Sequence, residues 1–215
     1  MKVDPILCTT ICENCYVVSG KRESECILID PGAYEPVQVY LGKTGLKPVA
    51  ILLTHGHFDH IGGAKRLKEE YGIPVCIHAL DADKLSNNKK NLSVISVPLR
   101  LLEPFDADVL LEDHQKLAYG GFSVEVLFTP GHSCGGVSYY FADEKAVFCG
   151  DTLFRGSYGR YDFYDSSIDA LCASLTETLF ALPEDCIAYP GHGDPTEIGF
   201  ERDHNFINRY GRSGK

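Results

Sequence analysis

The 215 residues contain no run of 18 or more apolar side chains, so no segment is built to cross a bilayer as a helix. Cationic residues are scarce as well: 20 Lys and Arg stand against 30 Asp and Glu, a formal net charge of −10. Nucleic-acid binding needs a basic face to neutralise phosphates, and beyond Lys84 with Lys89-Lys90 no such cluster stands out. The segment from Met1 to Leu7 lacks the apolar core and small-residue cleavage site of a secretory signal, which makes the cytoplasm the expected compartment. Nine cysteines, an odd number in apolar surroundings, fit reduced, buried thiols better than a disulfide framework. Cys8, Cys12 and Cys15 include one C-x-x-C, but no second pair at matching spacing follows to complete a structural zinc site. No linker-like stretch divides the chain, so residues 1–215 are expected to form a single domain.

What is present is a succession of short strands and helices. Residues 14–18 and 26–30 are apolar runs separated by the polar residues 20–25, the pattern of a β-hairpin, and Asp30-Pro31-Gly32 supplies turn chemistry after it. A short helix through Val37 to Leu41 precedes a continuously apolar strand, Val49 to Thr54, as expected for a strand covered on both faces. Ala64, Leu67 and Tyr71 predict a helix from about Ile61 to Tyr71, stopped by Gly72, and Ile73 to His78 is the next strand. Residues 81–107 form a polar, mixed region that carries little information. Strands at 109–111, 122–129, 137–141 and 146–149 follow one another closely, which implies antiparallel pairing. Ile168, Leu171, Leu175, Leu179 and Leu182 mark a helix from Ser166 to Leu182, followed by a strand at 186–189. Thr196 is placed to cap a terminal helix over Glu197 to Tyr210. The order suggests two sheets packed face to face with helices outside.

One stretch concentrates the chemistry. Thr54-His55-Gly56-His57-Phe58-Asp59-His60 puts three imidazoles and a carboxylate within six positions, directly after a strand. Imidazole suits zinc, copper, iron or nickel, and carboxylate adds a hard oxygen, so the mixture fits a first-row metal. Three further ligand-type residues stand beside glycines after apolar runs: His132 in Pro130-Gly131-His132, Asp151 in Gly150-Asp151-Thr152 and His192 in Pro190-Gly191-His192-Gly193.

This pattern, H-x-H-x-D-H followed by H, D and H, resembles the metallo-β-lactamase superfamily, with all seven positions occupied. The strings from Gly150 to Gly156, Gly159-Arg160-Tyr161-Asp162-Phe163 and Pro190 to Gly193 are similar to those of its compact glyoxalase-II-like hydrolases. The resemblance implies an α/β fold, a four-layer αβ/βα sandwich of two mixed sheets with helices outside. It further implies two divalent cations, zinc as the usual tenant with iron or manganese in relatives. His55, His57 and His132 would hold one, Asp59, His60 and His192 the other, with Asp151 bridging. By the same resemblance a metal-bridging hydroxide attacks a thioester carbonyl, with Asp59 orienting it. Asp30 either supports a ligand imidazole from behind or caps its own Asp-Pro-Gly turn. Arg160 falls where larger glyoxalase II enzymes hold a glutathione carboxylate, but it is equally placed to pair with Asp162; Tyr158 is a candidate for the mouth. The chain reaches Lys215 without the extended helical region of those larger enzymes, which puts glutathione in question as the thiol.

The implied partner is therefore a small-molecule thioester, with no nucleic acid and no membrane; the sequence says nothing about oligomeric state. Two alternatives remain open at this level. Persulfide dioxygenases share H-x-H-x-D-H and Gly-Arg-x-Asp-Phe but use one iron, although their last motif differs from Pro190-Gly191-His192-Gly193. A non-catalytic metal-binding member of the superfamily is the other. A β-lactamase would be expected to carry an export signal.

Overall fold

The computed structural model of the protein describes residues 1–8, 11–22, 24–96 and 101–212. The chain forms two compact units, Met1–Leu111 with Ala118–Phe122 and Glu112–Leu117 with Ser123–Lys215.

The first unit is built on β1 (Lys2–Leu7), β2 (Asn14–Ser19), β3 (Glu25–Ile29), α1 (Tyr34–Thr44), β4 (Lys47–Leu52), α2 (Phe58–Ile61), α3 (Ala64–Tyr71), β5 (Val75–His78) and β6 (Val109–Leu111). Its six strands lie in the order β1-β2-β3-β4-β5-β6. The first three pair antiparallel, and β3 to β6 run parallel. The expected hairpin is β2 and β3, with Tyr16 opposite Ile29. Leu28, Ile51, Val75 and Ile77 pack with Val37 and Leu41 of α1 and with Ala64 and Leu67 of α3, so both helices cover one face. Glu35 in the first turn of α1 and Lys43 in its last complement the helix dipole, and Gly45 ends it in the left-handed region.

The remaining elements are β7 (Lys116–Tyr119), β8 (Phe122–Phe128), β9 (Val137–Phe141), β10 (Ala146–Gly150), β11 (Leu153–Phe154), β12 (Ser157–Tyr158), α4 (Ile168–Ala173), β13 (Ile187–Pro190), β14 (Thr196–Glu197) and α5 (Ile198–His204). A second six-stranded sheet has the order β14-β13-β10-β9-β8-β7. The antiparallel pairing expected of the strands from 109 to 149 is present in β8, β9 and β10 but not in β6, which pairs in parallel with β5; β13 joins β10 in parallel. Val147, Cys149 and Ala188 pack under Leu171, Leu175, Leu179 and Ile198, so helical segments cover a face here too. The chain is thus α/β with two mixed sheets and helices against them, as expected.

Several local expectations need correction. The helix predicted over Ile61 to Tyr71 is two helices, α2 and α3, broken at Gly62-Gly63. The helix predicted over Ser166 to Leu182 starts as α4, with the Ser167 hydroxyl accepting from the Ala170 N–H. It then widens to a π turn at Ser174–Thr178 and tightens to a 3₁₀ turn at Leu179–Ala181. Thr196 caps nothing. Its hydroxyl donates to the buried Glu201 carboxylate at 2.7 Å, and α5 stops at His204 before a 3₁₀ segment. The region 81–107 is not featureless: Ala79–Ser86 and Ser93–Ile95 are 3₁₀ helices, although residues 97–100 lie outside the described part. Strands β1 and β7 were not anticipated. None of the nine cysteines forms a disulfide; six are buried, Cys134 and Cys172 are half-buried and Cys12 is exposed. Among the described residues no helix is long and apolar enough to cross a membrane.

Candidate metal centre

In the first unit the ligand-type residues follow β4 directly. His55, His57, Asp59 and His60 are all buried. His57 stands at the N-cap of α2, and Asp59 and His60 lie within that single turn, so the short helix converts sequence neighbours into spatial ones. The His55 ring stands 4.6 Å from that of His57 and 4.1 Å from that of His60.

Asp30, at the end of β3 with φ of 50°, organises them from behind. Its Oδ1 accepts from the Thr54 N–H at 2.7 Å, and its Oδ2 lies 2.5 Å from Thr54 Oγ1 and 3.0 Å from His60 Nδ1. An ionised carboxylate only accepts, so the Thr54 hydroxyl donates to Asp30 and leaves its own lone pairs to His55 Nδ1, 3.1 Å away. One carboxylate therefore sets the tautomer of two rings and directs Nε2 of each as the ligand nitrogen. Asp30, His55 and His60 each offer a donor atom within 4.8 Å of one another. The side chain is spent behind the ligands, while the Asp-Pro-Gly turn is closed by the Asp30 main-chain carbonyl, which accepts from the Gly32 N–H at 2.9 Å.

In the second unit the ligand-type residues come from three strand ends. His132 follows β8, Asp151 follows β10 and His192 follows β13. Asp151 Oδ2 lies 3.5 Å from His132 Nε2 and 3.6 Å from His192 Nε2. His132 is oriented by backbone: its Nδ1 donates to the Arg160 carbonyl at 2.8 Å, and its own carbonyl accepts from Ser166 Oγ at 2.8 Å. Gly159 makes this approach feasible, because a Cβ there would sit 1.8 Å from the Asp151 carbonyl oxygen and 3.1 Å from His132 Nδ1. Phe163 packs its ring against His132 at 5.5 Å, and Phe154 stands 6.0 Å from the His192 ring.

These donor sets fit a divalent metal. Two ligand atoms bound to one tetrahedral ion at about 2.0–2.1 Å stand about 3.3 Å apart. The separations of 3.5 and 3.6 Å around Asp151, and of 3.7 Å between Asp59 Oδ2 and His60 Nε2, are near that value and too long for good hydrogen bonds. Buried imidazoles and carboxylates at such spacing suit zinc or iron.

The family model for the metallo-β-lactamase superfamily matches residues 13–192. This chain belongs to that superfamily. Among curated relatives, the "Probable metallo-hydrolase YqgX" of Bacillus subtilis (strain 168) is 39% identical over 190 residues, covering 87% of this chain and 90% of its own. The "Hydroxyacylglutathione hydrolase GloC" of Haemophilus influenzae is 30% identical over 217 residues, covering 97% and 99%. Among solved structures, the BLEG-1 B3 metallo-β-lactamase superposes with a TM-score of 0.91 at 37% identity, covering 96% of this chain and 99% of that one. TTHA1623 in a di-iron-bound form does so with a TM-score of 0.85 at 39% identity, covering 95% and 100%. This superfamily member is accordingly a metal-dependent hydrolase by kinship.

Other predicted positions are placed as follows. Arg160 Nε and Nη2 both donate to the Asp162 carboxylate at 2.9 Å, and the guanidinium lies 4.5 Å from the centre of the Phe163 ring, exposed. Tyr158, half-buried in β12, stands 6.2 Å from the Tyr161 ring. Sequence reasoning missed Thr54, Ser166 and the Arg160 carbonyl, none of which has a motif of its own. It also missed Glu13, fully buried, with neither carboxylate oxygen hydrogen-bonded among the described residues. Burial pushes the Glu13 carboxyl well up, and although the imidazole of His60 opposes this, Cys8, Asp30 and Asp59 add to it.

Proposed function

We propose that this protein is a binuclear metallohydrolase of glyoxalase II type that cleaves a small acyl thioester. The observation that carries the reading is the Asp151 carboxylate, one oxygen of which is shared almost evenly by the Nε2 atoms of His132 and His192. That is the disposition a bridging ligand requires. In this reading His55, His57 and His132 hold one ion and Asp59, His60 and His192 the other. The likeness to a hydroxyacylglutathione hydrolase along nearly the whole chain supports the thioester class, and the di-iron form of TTHA1623 makes iron a tenant to set beside zinc and manganese.

Divalent ions held there supply, when bound, a hydroxide nucleophile near neutral pH and polarisation of the thioester carbonyl. Asp59, buried beside His60, accepts a hydrogen bond from the attacking water and orients it. Asp30 keeps the His55 and His60 tautomers fixed while charge changes in front of them. A leaving thiol has a pKa of about 8.5, so the thiolate departs without a strong general acid from the chain. Tyr158 and Arg160 contribute contacts to the thiol arm, Arg160 by exchanging part of its bond to Asp162 for an anionic group.

Elemental analysis of protein purified without added metal, paired with a thioester panel that varies the thiol, tests this. Two equivalents of metal with turnover of at least one thioester are expected. One iron per chain with oxygen uptake on a glutathione persulfide would make the protein a dioxygenase instead. Because of the likeness to BLEG-1, β-lactams form a second arm of the panel, and hydrolysis of these alone would replace the thioester reading.

A further inference from the structure

The stretch 79–95, which the sequence leaves without a role, grips the ligand loop at two backbone positions. Asp81 Oδ2 accepts from the Gly56 N–H at 2.7 Å, and the Asn91 carbonyl accepts from the Phe58 N–H at 2.8 Å. They belong to the peptides just after His55 and just after His57. Asp81 Oδ1 is paired with Lys84 Nζ at 3.0 Å, both side chains being almost completely buried, and the Lys84 carbonyl in turn accepts from Asn91 Nδ2 at 3.0 Å. The Lys84 stem also presses on Gly56 itself. A Cβ at that position would lie 2.6 Å from Lys84 Cβ and 3.0 Å from its Cδ, so only glycine fits between the two histidines.

A buried ion pair is a poor stabiliser, since desolvation offsets most of the attraction and apolar replacements are often neutral or better. Its use here must lie in what it holds. The Gly56 N–H belongs to the peptide that joins His55 to Gly56, so fixing it fixes the turn that separates the two rings, now 4.6 Å apart. A charged acceptor makes that bond stronger than a neutral one would. Lys84 pairs with the Asp81 carboxylate and aims it, and its stem closes the other side of the glycine.

We propose that Asp81 and Lys84 form a positioning clamp that presets His55 and His57 for a metal ion before the ion arrives. The proposal rests on the metal reading given above, but the clamp itself is visible without metal. It predicts a loop that is already ordered in the metal-free protein, and a metal affinity that depends on residues too far back to be ligands.

The test uses the full chain and two double variants. Asp81→Ala/Lys84→Met removes the acceptor and both charges, so no lone charge is stranded and the fold should survive. Asp81→Asn/Lys84→Met restores a neutral acceptor for the Gly56 N–H. Circular dichroism and thermal melting report the fold, amide hydrogen exchange of the metal-free protein reports the Gly56 N–H, and Co²⁺ titration followed by its d–d absorption reports the site. In the alanine variant, faster exchange at Gly56 and an affinity lower by about 10- to 100-fold are expected, with substantial recovery of both in the asparagine variant. Unchanged exchange and affinity in a folded alanine variant would overturn the clamp. So would outright unfolding, which would make the pair a structural element only. Native protein that takes up no Co²⁺ would overturn the metal reading, and exchange at Gly56 would then still decide the clamp.

Discussion

The two units present their ligand-type residues in different ways. In the first, His55, His57, Asp59 and His60 come from one loop, and the groups behind them are mainly side chains, Asp30, Thr54 and Asp81, with the Asn91 carbonyl on the Phe58 N–H. In the second, His132, Asp151 and His192 come from three strand ends, and His132 is oriented by the main-chain carbonyl of Arg160. A loop has little rigidity of its own and has to be held by side chains that reach into it. Strand ends are fixed by the sheet, so a backbone acceptor suffices. The first half should therefore be sensitive to substitutions behind the ligands, and the second largely indifferent to them unless the backbone itself is displaced.

The largest effect is expected at a ligand. His57→Ala should reduce hydrolysis to background while circular dichroism stays native, because that ring belongs to neither apolar core; retained turnover, with contaminating enzyme excluded, would refute the assigned centre. Next, Asp30→Ala should weaken metal binding by about 10- to 100-fold, as removal of a carboxylate behind a ligand imidazole does, measured by competition with a chromophoric chelator. No loss there would erase the contrast between the halves. Gly159→Ala attacks the second half through its backbone, since the added Cβ would fall 1.8 Å from the Asp151 carbonyl. Overpacking of this kind costs about 1–3 kcal/mol, readable from chemical denaturation, and metal affinity should fall with it.

Glu13 sharpens the comparison through pH. Its carboxyl is raised in the folded state, chiefly by burial, so between its unfolded value of about 4.3 and the raised folded one the native state holds the extra proton. Stability should fall as pH rises through that window. Glu13→Gln should flatten the melting temperature of the metal-free protein against pH, with the gain over the native chain growing toward neutrality; identical pH profiles would show that the group carries no such linkage. The smallest effect is expected at Arg160→Ala. The guanidinium is exposed and already paired with Asp162, so KM for a thioester with an anionic thiol arm should rise by about five-fold or less with kcat unchanged. A large fall in metal affinity would contradict the backbone role of this position.

Much of this was legible in the sequence because its signals are local. Apolar runs located β2, β3, β8, β9 and β10, and Gly72 marked the end of α3. The seven ligand-type residues stand out because H-x-H-x-D-H is compact and because His132, Asp151 and His192 each follow a strand beside glycine. The misreadings share a cause. Edge strands β1 and β7 bury little, so their composition is mixed; every residue of β1 is exposed or only partly buried. The stretch from 79 to 95 is polar because it spends its side chains on hydrogen bonds to other segments, and a buried Lys84 looks in sequence like any surface lysine. Thr196 has the composition of a cap, but a buried carboxylate five residues on competed for its hydroxyl.

By itself, the sequence determined the residue types that can hold a metal, the strand ends that carry them and the glycines that let the chain turn there. These follow from spacing and covalent geometry. Only the tertiary structure decided which atoms stand behind each ligand: that Asp30 serves both His55 and His60, that a carbonyl orients His132, and that a buried Asp81–Lys84 pair holds the peptide between His55 and His57. Those pairings join residues 24 to 30 positions apart. No local pattern encodes them, because their energy comes from burial that exists only once the chain has folded.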